Sequence, residues 1–104
     1  MEPAYSDRKL AEMPRDVLEK AVAILKAEIP ASTLALVKSE IRKRPLDWIA
    51  PVHFGWGMTV RNLLRNKGLR DDLLPDKNWD DYYAAVIEIA VGERDMPAAP
   101  QRQA

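Results

Sequence analysis

The chain has 104 residues, 47% of them hydrophobic and 31% charged, with 16 basic and 16 acidic side chains and a single histidine. That length suits one domain with one modest core, burying about 60 to 65% of the surface the unfolded chain exposes. The balance of apolar and charged residues excludes a disordered chain, and the complete lack of cysteine excludes a disulfide framework, a thiolate zinc site and a thiol nucleophile.

Two further exclusions come from the order of residues. The opening stretch from Met1 to Leu10 carries Glu2, Asp7, Arg8 and Lys9 and no apolar run, and nowhere do 18 apolar residues follow one another. Neither a signal peptide nor a membrane span is expected, so the sequence points to a cytoplasmic address, with no cofactor and no metal. Charge is uneven although it sums to zero. Residues 1–30 hold 5 basic and 6 acidic side chains, residues 31–70 hold 8 and 2, and residues 71–104 hold 3 and 8. The plainer consequence is that a basic middle and an acidic end neutralise each other within the fold or between subunits. The sharper one is an exposed basic face for nucleic acid or another anion.

Residues 1–12 read as an N-terminal tail and residues 93–104, with two prolines and little to bury, as a disordered C-terminal tail. Between them, residues 13–92 show helical periodicity throughout. The first helix is expected to begin at Pro14, a favoured first position, with Leu18, Ala21, Val22, Leu25 and Ile29 forming one stripe. A second helix is expected from Ser32, as N-cap, to Lys43, with Leu34, Val37 and Ile41 inward and Pro45 closing it. Trp48 and Ile49 then fall in a short connection where they would plug a gap between helices.

A third helix is expected over Val52 to Lys67, opened by Pro51 and closed by Gly68 in the left-handed conformation. Leu69 to Lys77 reads as a loop with one helical turn near Asp71 to Leu74. The last helix has an N-cap at Asn78, carboxylates at Asp80 and Asp81 in its first turn, and Gly92 as its stop. Trp79, Tyr82, Tyr83, Val86, Ile87, Ile89, Ala90 and Val91 cover most of its circumference. A helix so apolar is either wrapped by the other three or shared with a second subunit. No stretch alternates in the manner of a strand, and the expected fold is an all-α, single-domain bundle of about four helices.

The unusual residues lie in the third helix. His53, Gly57 and Arg61 recur every fourth position, so a continuous helix would align them on one face with a glycine notch between two long side chains. Two glycines at Gly55 and Gly57 cost helix stability, and close approach of a backbone or ligand is the usual compensation. The pattern His53-x3-Gly57-x3-Arg61-Asn62, followed by Gly68-Leu69 and an Asp-rich stretch before a final helix, resembles a small bacterial and phage domain of unknown function. The resemblance covers residues 46–91, implies no activity, and directs attention to His53, Gly57, Arg61 and Asn62. As a binding site, an imidazole and a guanidinium flanking a notch would take a phosphate or carboxylate, with Asn62 adding an amide. As structure, Arg61 would pair with Asp71, Asp72 or Asp80 while His53 bonds a neighbouring backbone.

Catalysis would need more than these residues supply. His53 has no cysteine or nearby serine to activate, no Gly-rich phosphate loop is present, and the paired carboxylates Asp71-Asp72 and Asp80-Asp81 suit helix starts. For nucleic acid, Arg42, Lys43, Arg44, Arg61, Arg65, Lys67 and Arg70 would lie on two helices resembling a helix-turn-helix, but the link from Arg44 to Pro51 is longer than that motif's turn. The reading that remains is a non-enzymatic protein-interaction or self-associating module, using the apolar last helix and the notched third helix. A small anion or nucleic-acid binder is the alternative.

Overall fold

In a computed structural model, residues 10–97 are described, and among them there are four α-helices of eight residues or more, a helical stretch at residues 10–12 and no strand. Helix α1 spans Arg15–Glu28, α2 Ala31–Lys43, α3 Trp56–Asn66 and α4 Tyr83–Ala90, with 3-10 turns at Ala50–Val52, Asp71–Leu73 and Trp79–Asp81. The all-α bundle expected from periodicity is the fold observed.

Helix α1 follows directly on Pro14 and buries Val17, Leu18, Ala21, Val22 and Leu25, the anticipated stripe with Val17 added. It packs chiefly against α4, and α3 braces both. Helix α4 is enclosed by its own chain: Tyr83, Ala85, Val86, Ile87, Ile89 and Ala90 are all buried, as are Trp79 and Tyr82 just before it. The sharing of this helix with a second subunit is therefore not needed to explain its composition. The Trp79 indole N–H donates to the Leu69 carbonyl at 2.8 Å, which satisfies the one polar atom of a fully buried side chain.

Both expected helix stops are present. Gly68 and Gly92 have φ of 95° and 81°, a conformation in which a Cβ would be strained. After Gly92 the Glu93 N–H donates back to the Glu88 carbonyl at 2.9 Å, closing α4 with the six-to-one bond of a Schellman turn.

Three boundaries differ from expectation. The third helix does not run from Val52; residues 50–52 form a 3-10 turn, and the α-helix starts only at Trp56, after Gly55 with φ −105° and ψ −97°. Pro51 sits at the start of that short turn, and Gly55 supplies the break that separates it from α3. Asn78 caps the 3-10 turn rather than an α-helix, its side chain accepting from the Asp80 N–H, and Tyr82 at φ −121° separates that turn from α4. Ser32 lies inside the first turn of α2, which is preceded by Pro30 and has no side-chain cap.

The core also reaches beyond residues 13–92. Leu10 is 3% exposed and belongs to the hydrophobic core, so it is no part of a tail. At the other end Met96 packs on the core, Glu93 pairs with Arg42 and the Pro97 carbonyl accepts from Arg15. The remainder of both expected tails, residues 1–9 and 98–104, lies outside the described residues.

Helix α2 stands apart from the other three. Its only buried residue is Ile41; Leu34 and Val37 are partly buried, and Leu36, off their stripe, is 70% exposed. Trp48 fills the gap between α2 and α4 as expected, buried and donating its indole N–H to Glu88 at 2.8 Å.

Candidate functional site

The residues singled out by spacing come together, but around a side chain from α4. Arg61 is 4% exposed and is the single charged residue in the buried set. Its Nε lies 3.1 Å from Asp80 Oδ1, its Nη2 donates to the His53 carbonyl at 3.1 Å, and its Nη1 is 3.1 Å from His53 Nδ1. The guanidinium also stacks on the Tyr83 ring, 4.6 Å from its centroid. The Tyr83 hydroxyl is 2.6 Å from the same His53 Nδ1. A guanidinium only donates, so Nδ1 serves it as an acceptor.

The glycine notch is filled by this tyrosine. A Cβ placed on Gly57 would lie 2.7 Å from Tyr83 Oη, 3.1 Å from Tyr83 Cε2 and 3.1 Å from the Val52 carbonyl oxygen. Gly57 is thus present because a phenol ring and a backbone carbonyl cross there. Burial pushes the Tyr83 phenol up from its ordinary range, opposed by the neighbouring Arg61 charge.

His53 does not share a continuous helix with Arg61, since it lies in the turn before Gly55. The turn there nonetheless keeps its ring beside Arg61 and Tyr83. Asn62 is not part of the cluster: it is exposed on the next position of α3, and its Oδ1 accepts from Arg65 Nη1 at 2.9 Å. Of the three carboxylates considered for Arg61, Asp80 is the partner. Asp71 instead receives two hydrogen bonds from Arg65, at 2.6 and 3.0 Å, and one from the Trp79 backbone N–H at 3.0 Å. The Arg65 contact, followed by that of Trp79, holds the Asp71 carboxyl below the usual carboxylate range.

The basic middle is neutralised in the same way. Every arginine among the described residues faces a carboxylate: Arg15 with Glu19, Arg42 with Glu93, Arg44 with Asp47, Arg61 with Asp80, Arg65 with Asp71, Arg70 with Asp72 and Arg94 with Glu88. Lys43 and Lys67 pair with Glu40 and Glu28. All seven cations that would form a nucleic-acid face are engaged within the chain.

Sequence reasoning missed a second location. An apolar groove of about 340 Å³ runs along α2, lined on one wall by Thr33, Leu36, Val37, Glu40 and Arg44 and on the other by Pro51, Val52 and Trp56, with Trp48 shared between them. The first wall is one helical stripe over three turns. Phe54, 82% exposed, lies between Val52 and Trp56 of the second wall but does not itself line the groove. The available signal was Leu36, apolar but off the stripe of Leu34, Val37 and Ile41, together with Phe54 in a turn.

Comparison with protein-family profiles, curated proteins and solved structures finds no match to the chain. The reading of function therefore rests on these two locations. Among the described residues no group of His, Asp and Glu is arranged to hold a metal ion, and no helix is long and apolar enough to cross a membrane.

Proposed function

We propose that the chain is a non-enzymatic interaction module whose α2 groove holds an apolar segment of a protein partner or of another copy of itself. One observation carries the reading: an open groove with two tryptophans in its lining and Leu36, 70% exposed, on its wall. Large apolar side chains left in water at a concave surface are the usual mark of a binding surface. Aromatic residues at such places supply most of the binding energy. The proposal moves the interaction surface from the last helix, which is enclosed, to α2 and the segment from Pro51 to Trp56.

The anion-binding alternative has no observation in its favour. His53 and Arg61 turn toward Tyr83 and Asp80, and Gly57 accommodates the Tyr83 ring. A cytoplasmic address belongs to the same proposal, supported by the cysteine-free composition. Kinship with the small bacterial and phage domain is carried on the same footing and adds no activity.

The test is a random peptide library panned on the chain, with counter-selection on Leu36→Glu. Leu36 is exposed, so the variant is expected to keep its fold, which circular dichroism checks. Peptides that bind the wild-type chain and lose binding to Leu36→Glu support the reading. A library that yields no Leu36-dependent binder refutes it.

A further inference from the structure

The residues that line the groove point to the kind of segment it takes. Its walls are helical and 3-10 backbone, with no strand edge to which an extended chain could add. Its lining holds Trp56 and Pro51, flat apolar surfaces against which proline rings pack, above the edge of the buried Trp48, and a single carboxylate, Glu40. Among the described residues Glu40 pairs with exposed Lys43 at a long 3.6 Å, a contact for which a guanidinium in the groove can compete. Arg44, the one base in the lining, is held by Asp47 through two hydrogen bonds of 3.2 and 2.8 Å.

The chain itself contains a matching segment: Pro97-Ala-Ala-Pro100-Gln-Arg102. Prolines three apart share one edge of a polyproline II helix, about 9 Å from each other, and such segments dock in aromatic-lined grooves with little entropy left to lose. Arg102, two residues further on, supplies a guanidinium that can compete with Lys43 for Glu40.

We propose, building on the docking reading above, that the occupant of the groove is the segment Pro97–Arg102 of a second copy, its prolines against Trp56 and Pro51 and Arg102 on Glu40. Geometry favours the second copy over the same one. Lys38 and Arg42 point to the side of α2 where the chain passes at Gly92 and Glu93. At 100° per residue, the groove stripe of Leu36, Val37, Glu40 and Arg44 lies nearly opposite. The chain then reaches Pro97 beside Arg15, on α1. Met96 packs on the core, and Pro97, one residue on and about 4 Å from it, cannot cross to the groove of its own chain, whereas the groove of a second copy can be brought to it. Docking in the second copy releases the single Arg15–Pro97 hydrogen bond, and Arg15 keeps Glu19. Two copies exchanging segments reciprocally form a closed pair.

The probe is a synthetic peptide of residues 95–104, titrated into dilute full-length chain labelled with nitrogen-15. The expected result is saturable shifts of the Trp48 and Trp56 indole N–H signals and of the Leu36 and Val37 amides. A peptide with Pro97→Ala and Pro100→Ala loses the effect. Glu40→Arg in the protein weakens binding about tenfold, as loss of a charge-assisted contact implies, and an Arg102→Glu peptide restores it. Sedimentation of the full chain is expected to show concentration-dependent dimers that Pro97→Ala with Pro100→Ala abolishes. Absence of peptide shifts up to millimolar concentration, or shifts indifferent to the proline and charge exchanges, overturns the inference. If the peptide fails while library binders still require Leu36, only the identity of the occupant falls; if both fail, the docking reading falls with it.

Discussion

Gly57→Ala separates a structural role of the glycine from an incidental one. In a helix alanine is favoured over glycine by at most about 1 kcal/mol, so propensity alone predicts a more stable protein. The geometry predicts the reverse. The added methyl would lie 2.7 Å from the Tyr83 hydroxyl and 3.1 Å from the Val52 carbonyl oxygen, one of them backbone and the other on a ring that cannot withdraw. Tyr83 is 1% exposed, lies under the Arg61 guanidinium and holds His53 at 2.6 Å. Overpacking of this kind costs about 1 to 3 kcal/mol, leaving a net loss of up to about 2 kcal/mol after the propensity gain. For a domain of this size that lowers Tm by up to roughly 15 °C. Thermal and urea unfolding followed by circular dichroism measure it. In a Tyr83→Phe background the nearest clash is gone, so the cost of Gly57→Ala should shrink by about 1 kcal/mol. A Gly57→Ala protein as stable as the wild type, or more so, would refute the packing argument.

Four other outcomes follow from contacts already described. Arg61→Ala strands the His53 carbonyl and empties a buried volume, while Asp80, half exposed, rehydrates; urea unfolding should show a loss of about 2 to 3 kcal/mol, and Arg61→Lys should recover little because an ammonium cannot reach three partners at once. The folded-state Asp71 carboxyl lies below its unfolded value, so its contribution is present above about pH 4 and is lost as pH falls through the folded value; Asp71→Asn should flatten that part of the stability-pH curve measured by urea unfolding. Leu10→Ala should cost about 2 to 4 kcal/mol in the same assay, whereas a removable tail residue would cost nothing. Hydrogen exchange should be faster in α2, which buries only Ile41, than in α1 or α4, and groove occupancy should slow it.

The helical fold was legible because its signals are local. The stripe through Leu18, Ala21, Val22 and Leu25 and the two glycine stops depend on neighbours within a few residues, and all are observed. The third helix was misread at its start because an unbroken four-residue spacing from His53 to Arg61 looks the same whether or not Gly55 interrupts it. The spacing still identified residues that meet, for a reason that lay elsewhere in the chain: Tyr83, thirty residues on, is what the notch receives. Pairing of Arg61 with a carboxylate could be anticipated from the need of a buried cation, but the choice of Asp80 over Asp71 depended on Arg65 taking Asp71 first.

The groove was illegible for a related reason. A sequence reveals that Leu36 is apolar; it does not reveal that the wall opposite, Pro51 to Trp56, stops short of covering it. The surface left for function emerges by subtraction. The arginines of the basic middle are engaged by carboxylates, and α4, the most apolar segment, is enclosed by α1 and α3. Among the helices, α2 carries the most exposed large apolar side chain, Leu36, and contributes one buried residue to the core; Met58 of α3 is less exposed. Folding makes small use of that helix, yet isolated helices of 13 residues are marginal in water. Under the proposed docking, an occupant of the groove would supply the contacts that the core withholds from α2.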